Sequence, residues 1–559
     1  MKIPNPKFQI PNRGLLIFIA IVLLAAILRL YKLNSYPVSL SWDEAAIGYN
    51  AYSISQTGAD EYAIKWPILF KSFNDYKLPG YIYLDSIFIK FLGLSEFSVR
   101  LPSALLGTLA IILMYFLTKR LFDDRVNGKW KMVNGKSETI ALCAMFLLAI
   151  SPWHLQFSRA AFEANAALTL VIAGITLLLY GLKNKLAALV SLPILTTSIY
   201  FYYSPRIFVP MIVIVFLLIF KDEILRSFKY YLYGLVLSIL ILTPITIQIF
   251  SPQGLKRVHE VSIIGDQSLI VDYVDARAKS SNIISSVFLN RRIPLTFEFL
   301  HNYFSHFSPG FLFFGDDPNP RHHSAFHGNL YIFEIPLVIL GLWFLIRQKD
   351  SKAKYFILTW LLLAPLPAAF THETPHGLRA FLMLPSTILV SALGIMTLAK
   401  KGFWIPIFIV TLIFSFTIYL YSYYLVYPQT DNLAWAYGHK QMFAEITKIE
   451  GGYDRIIITG QYWKPYIFYL FYNRIDPKIY QLVQDQQAIG KIRFGTTGWD
   501  LGGQDLTQAE TEKLQGDKTL LVITPTELMT FDNKNDFKLI TTTRDYSGKN
   551  EVFLIGQWR

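Results

Sequence analysis

Apolar runs of membrane-crossing length recur along residues 1–427. Roughly 30 Å of hydrocarbon needs about 20 helical residues at about 1.5 Å each. The pattern predicts eleven spans, near 14–31, 99–118, 138–153, 164–182, 184–201, 205–220, 230–250, 329–346, 355–370, 380–399 and 402–425. Several are short, which tilt or local bilayer thinning accommodates. Between them, 43–56 and 81–92 have the spacing of amphipathic helices lying along the membrane surface. Beyond residue 427 the pattern changes. Arg455–Thr459, Thr519–Thr524, Lys538–Thr542 and Val552–Ile555 read as strands, and 432–449 and 463–473 have helical spacing. The expected architecture is a polytopic α-helical membrane domain, 1–427, followed by a small α/β domain, 428–559. Gly451-Gly452 and Gly502-Gly503 read as turns, since neither forms a phosphate-binding loop after a strand.

Charge sets the orientation. The chain carries a formal +13, but residues 428–559 hold 15 basic and 16 acidic residues, so the excess belongs to 1–427. There it sits in one set of short loops: Lys2, Lys7 and Arg13; Lys119, Arg120, Arg125, Lys129, Lys131 and Lys136; Lys183 and Lys185; Lys221, Arg226 and Lys229; Arg347, Lys349, Lys352 and Lys354; Lys400 and Lys401. Such loops face the cytoplasm. The N-terminus is then inside, its first run is a retained anchor, and an odd number of spans leaves the C-terminal domain outside. The outer loops 32–98 and 251–328 are long, and all ten histidines lie in outer loops or in the tail. Apolar residues make up 53% of the chain and charged ones 16%, which excludes a disordered chain and an ordinary cytosolic enzyme. The basic excess lies between membrane runs, so no nucleic-acid partner is expected. One cysteine, Cys143 inside an apolar run, permits no intrachain disulfide.

The chemistry is concentrated in the first outer loop. Ser41-Trp42-Asp43-Glu44-Ala45 places two adjacent carboxylates just beyond the first span. Acids at a helix start complement its dipole by about 0.3–1 kcal/mol, and that role suffices for one of them. The other is a candidate general base or metal ligand at the membrane surface. Asn74-Asp75-Tyr76-Lys77-Leu78-Pro79-Gly80 sets a lysine at a turn, where it snorkels or meets a lipid phosphate. Ser95-Glu96-Phe97-Ser98-Val99-Arg100-Leu101-Pro102 then opens the second span.

Taken together, the Asp-Glu-Ala after the first span, the Lys-x-Pro turn and the Ser-Glu-x-x-x-Arg-Leu-Pro-Ser-Ala segment resemble the polytopic GT-C glycosyltransferases. The likeness is to family 39, the protein-mannosyltransferase-like group, with its phospholipid-carrier-dependent sugar transferases and aminoarabinose transferases. Ser151-Pro152-Trp153-His154 through Arg159 to Glu163, Pro320-Arg321-His322-His323 and His376-Gly377-Leu378-Arg379-Ala380 extend it through most of 1–427. It weakens in the tail.

The resemblance implies a cell-envelope enzyme of the cytoplasmic membrane that inverts at the sugar carbon. It would move a hexosyl or pentosyl group from a polyprenyl-phosphate donor to a hydroxyl on a protein, lipid or glycan acceptor, on the extracytoplasmic face. On that template Asp43 is the base. Glu44 orients it, binds the acceptor or caps the helix, and Glu163 holds the acceptor or supports the base. Lys77, Arg379, Arg321 and Arg159 are the candidates for the donor phosphate. No cofactor is firmly implied. A divalent ion (Zn, Mn or Mg) drawing on His322, His323 and Asp75 is left open, although adjacent histidines poorly share one ion, and the position where some relatives carry a zinc-holding acid is Tyr76 here. The rival reading is a transporter or flippase of a lipid-linked saccharide. Transporters show paired halves and ionisable groups near the bilayer midplane, whereas here the charges gather at the outer interface.

Overall fold

The computed structural model describes residues 12–73, 75–123, 136–249, 251, 262–265, 292–349, 351–400, 402–462, 464–495, 518–531 and 534–558. Lys2, Lys7, Arg125, Lys129, Lys131, Lys401, Gly502 and Gly503, and most of the loop 251–328 before Arg292, lie outside them. The chain divides into two compact units, one of residues 1–31, 103–158 and 162–419, the other of 32–102, 159–161 and 420–559.

A helix stands at each of the eleven apolar runs. Among the described residues six are long and apolar enough to cross a membrane: Arg13–Leu30, Glu96–Leu121, Glu163–Gly181, Lys221–Ile249, Phe381–Leu398 and Trp404–Thr430. A seventh follows if Ser137–Ile150 and Pro152–Ser158, bent by 57° to each other, count as one span. The rest, such as Lys185–Thr197, Glu334–Arg347 and Lys352–Leu363, are shorter. Some of the long helices leave most of their surface uncovered by protein: only 17% of the apolar window in Arg13–Leu30 and 11% in Trp404–Thr430 is buried. Apolar helices left this bare suit a lipid surrounding.

In the first unit, glycines set how closely helices approach. A Cβ on Gly341 would lie 2.0 Å from the carbonyl oxygen of Val390, and one on Gly394 would lie 2.1 Å from that of Leu337. The helices Glu334–Arg347 and Leu384–Leu398 therefore cross backbone against backbone, each contributing one glycine.

In the second unit, Ser41 starts the helix Trp42–Thr57 with a capping box. Its hydroxyl accepts the N–H of Glu44, and the Glu44 carboxylate accepts the N–H of Ser41. Gly58, at φ 70°, ends it. A short hairpin, β1 (Phe70–Ser72) with β2 (Asp75–Lys77), leads to the helix Pro79–Leu92. The tail folds around a six-stranded sheet of β3 (Arg455–Ile458), β4 (Ala488–Ile489), β5 (Ile492–Phe494), β6 (Thr519–Ile523), β7 (Phe537–Arg544) and β8 (Glu551–Trp558), in the order β4-β5-β3-β6-β8-β7. β3 runs parallel to β5 and β6, and the remaining pairs are antiparallel. β6 is buried at every position, as a central strand covered on both faces must be. Leu521, Ile523, Phe531, Leu554 and Trp558 form a core on the sheet. The helix expected over 432–449 is interrupted: Asn432–Trp435 forms a 3-10 turn and the α-helix starts at His439, because Ala436 and Gly438 take positive φ. The unit's compactness reaches beyond the tail. Residues 42–57 pack on the helices Pro465–Tyr472 and Pro477–Val483, with Gly48 leaving room for the Phe471 ring.

Candidate functional site

The two adjacent acids meet different surroundings. Glu44 is buried, with only 4% of its side chain exposed, beside the fully buried Arg100. Its Oε1 accepts from Arg100 Nε at 2.9 Å and from Ala161 N at 3.0 Å, while Oε2 accepts from Arg100 Nη2 at 3.2 Å and Ser41 N at 3.0 Å. Arg100 spends its other donors on the carbonyls of Leu33, Pro37 and Ser39. Of the three roles open to Glu44, helix capping is the one the geometry performs, and its second task is to neutralise Arg100. Asp43 keeps 39% of its side chain exposed, and Lys77 Nζ donates to its Oδ1 at 2.5 Å. The turn before Pro79 brings in that lysine, because β2 ends at Lys77.

More buried acid lies in the same unit. Burial is the main force pushing the Glu61 carboxyl up to about 8, with Asn50 donating to Oε1 at 3.3 Å and Oε2 lacking a hydrogen-bond partner among the described residues. Asp85, on the helix Pro79–Leu92, is held well above the usual carboxylate range by burial and then by Glu44. Neither acid was singled out from sequence, because nothing in Asp60-Glu61 or Leu84-Asp85 signals burial.

The other unit gathers a histidine cluster. One ligand atom each from Asp317, His322 and His376 lie within 4.8 Å of one another, and all three residues are buried. His322 Nδ1 lies 2.9 Å from Asp317 Oδ2, which also accepts the N–H of Gly377 at 2.5 Å. Burial opposes ionisation of Asp317, yet His322 and the N–H groups of Gly377 and Asn319 hold its carboxyl below the usual range. Burial holds His322 and His376 below the usual imidazole range. His306 Nε2 accepts from His376 N, and Arg379 N donates to His376 Nδ1. An aspartate and two imidazoles suit a borderline divalent ion, so these three are the residues that would hold one.

This cluster shares only His322 with the expected metal group. His323 turns Nε2 to the Asp317 carbonyl at 3.0 Å, and Asp75 Oδ1 accepts from Tyr76 N at 2.7 Å, so neither belongs to the cluster. Asp317 was missed, and His376 was noted only as part of a motif. Arg159 is buried, with Nε donating to the Tyr423 hydroxyl at 3.1 Å and its guanidinium over the rings of Tyr423 and Tyr424. Arg379 donates to Thr371 Oγ1 at 2.8 Å and to the His372 carbonyl at 2.5 Å. Arg321 Nε points to Asn319 Oδ1 at 3.4 Å, and its carbonyl accepts from Gln156. Glu163 is half-buried in the first turn of the helix Glu163–Gly181.

The chain superposes on solved structures along nearly its whole length. ArnT from Cupriavidus metallidurans in the apo state matches with a TM-score of 0.55 at 12% identity, covering 97% of this chain and 98% of that one. The same protein bound to undecaprenyl phosphate gives 0.53 at 13%, covering 98% of each. The chain has the GT-C fold. Residues 77–247 match the family model for dolichyl-phosphate-mannose-protein mannosyltransferase, the resemblance read from the motifs. The Archaeoglobus fulgidus oligosaccharyltransferase matches at 14% identity and a TM-score of 0.49, and this chain spans 63% of its length. No curated protein matches the sequence.

Proposed function

We propose that this chain is a membrane glycosyltransferase that moves a sugar from a polyprenyl-phosphate donor to an acceptor hydroxyl, with inversion, and that Asp43 is its general base. The Asp43–Lys77 pair carries the reading: a carboxylate in contact with an ammonium, with 39% of its side chain exposed, beside an acid wholly consumed by structure. Support comes from the family model over 77–247 and from an ArnT structure that contains undecaprenyl phosphate.

An acceptor hydroxyl has a high pKa, so its proton must leave as its oxygen bonds to the sugar carbon. Asp43 takes that proton. The bond from the sugar carbon to the phosphate oxygen breaks, and the polyprenyl phosphate departs with the electron pair and an added negative charge. Lys77 meets that charge, and a cation fixed in place before the reaction costs no reorganisation then. Arg379 and Arg321 are the further cations the family likeness offers for the phosphate. No step is assigned to the Asp317–His322–His376 group, which holds an ion if one is required. In this reading all eleven helices count as spans, and the tail lies on the extracytoplasmic face of the cytoplasmic membrane.

The test is transfer of labelled sugar from synthetic polyprenyl-phosphate sugars to a membrane extract by the purified protein. Wild type transfers label, and Lys77→Ala raises the donor concentration required roughly tenfold or more, on the scale of a lost charge-assisted contact. Unchanged donor dependence removes Lys77 from the phosphate. No transfer from any donor by folded protein overturns the proposal.

A further inference from the structure

A groove in the second unit lies outside the proposed chemistry. It encloses about 820 Å³ between the end of the helix Trp42–Thr57 and the helix Pro79–Leu92. Lys65 and Lys90 line it together with Trp66, Tyr83 and the hydroxyl residues Ser55 and Ser86, and among the described residues no acidic residue does. Among the described residues neither lysine side chain has a hydrogen-bond, ion-pair or ring partner. Two ammonium groups on one groove with no counter-charge are complementary to an anion.

Its walls are preformed. The Trp66 and Tyr83 rings stack with centroids 6.1 Å apart at 19°, and the Tyr83 hydroxyl is fixed on the Pro67 carbonyl at 2.9 Å. Gly58, at φ +70°, takes a left-handed turn that favours glycine beside the Trp66 ring.

The rim decides which anion fits. Ile87 and Phe91 line the groove one helical turn apart, and Phe91 is 81% and Trp66 66% exposed. Leu92 and Ile64, nearby in sequence, are exposed as well. A soluble phosphate would leave this apolar surface in water, whereas an amphiphile covers it while its head meets the lysines. The opposite face of the same helix is buried through Tyr81, Ile82, Asp85 and Ile89.

We infer that this groove binds the phosphate headgroup of an anionic bilayer phospholipid, with its acyl chains along Ile87 and Phe91, and so seats the Pro79–Leu92 helix on the membrane surface. The inference rests on the membrane placement of the chain and is independent of the transfer reaction.

The test is native mass spectrometry of the full-length protein released from nanodiscs containing equal phosphatidylglycerol and phosphatidylcholine. Wild type should retain phosphatidylglycerol preferentially. Lys65→Gln and Lys90→Gln should each weaken retention about fivefold, the value of one lysine near an anionic surface, and added salt should narrow the difference. Photo-crosslinking phosphatidylglycerol should label the peptides containing Trp66 and Phe91. A double variant that folds as wild type and retains the lipid unchanged overturns the inference, as does equal retention of phosphatidylcholine. Displacement by undecaprenyl phosphate also overturns it, because the groove would then belong to the sugar carrier. Lys65→Arg and Lys90→Arg, which keep the charge, should preserve binding and separate charge from packing.

Discussion

Replacing Glu44 with glutamine should unsettle the fold, whereas replacing Asp43 with asparagine should leave it intact. Each oxygen of Glu44 accepts two N–H donors, Arg100 Nε with Ala161 N and Arg100 Nη2 with Ser41 N. An amide has one accepting oxygen, so in either orientation its NH2 faces two donors and at least two of the four bonds are lost. Arg100 also remains a buried cation without its anion. Hydrogen bonds to charged groups contribute about 1.5–3 kcal/mol each, and breaking a buried ion pair by removing one partner costs about 3–5 kcal/mol. The two routes agree on roughly 3–5 kcal/mol for Glu44→Gln, with three backbone carbonyls on Arg100 favouring the lower end. Asp43, with 39% of its side chain exposed, forms a solvent-screened pair worth about 0–1 kcal/mol. The assay is thermal unfolding in detergent, with limited proteolysis of the 32–102 segment. Glu44→Gln should lower the midpoint by several degrees and expose the segment, and Asp43→Asn should do neither. A cycle with Arg100→Leu should be clearly less than additive, because the double variant removes both charges. Equal destabilisation by both single variants, or none by Glu44→Gln, would refute the division of roles.

Other consequences follow from the same structure. Gly394→Ala puts a methyl group 2.1 Å from the Leu337 carbonyl oxygen, so the two crossing helices must separate; a loss of about 1–3 kcal/mol is expected, read as a lower unfolding midpoint. Burial pushes the Glu61 carboxyl up to about 8 from 4.5, so its burial is tolerated fully below about 4.5 and costs progressively more as pH rises through 8. Glu61→Gln should therefore flatten the decline in stability between pH 4.5 and 8, measured by thermal unfolding across that range. Asp317→Asn weakens the carboxylate contacts to Gly377 N and His322, and hydrogen exchange should quicken in 310–330 and 371–379.

Much of this molecule is visible in a linear reading, and the rest is hidden for identifiable reasons. The apolar runs and the β-branched stretches around Ile456, Leu521 and Ile555 report their own burial, so helices and main strands fall where the pattern puts them. The short strands Ala488–Ile489 and Ile492–Phe494 do not, since two or three residues carry no period. The helix Pro477–Val483 follows an Asp476 cap that looks like any turn. The second unit draws 32–102 together with the tail because Gly48, Val99 and Phe471 meet, contacts that no local pattern encodes. The same holds at the site. Asp43 and Glu44 are adjacent in sequence, and what separates them is Arg100, 56 residues away, which takes one and not the other. Asp317 and His376 stand about 60 residues apart and are joined through the N–H of Gly377.

The most direct test of the proposed chemistry is a single-turnover reaction of polyprenyl-phosphate sugar with acceptor, run on wild type and on Asp43→Asn whose unfolding midpoint matches it. The account predicts that wild type consumes the donor and releases polyprenyl phosphate with label on the acceptor, while Asp43→Asn leaves the donor intact, at least about a hundredfold slower, the lower range for loss of a general base. Transfer by Asp43→Asn at a rate near that of wild type would contradict it and assign the proton to another group.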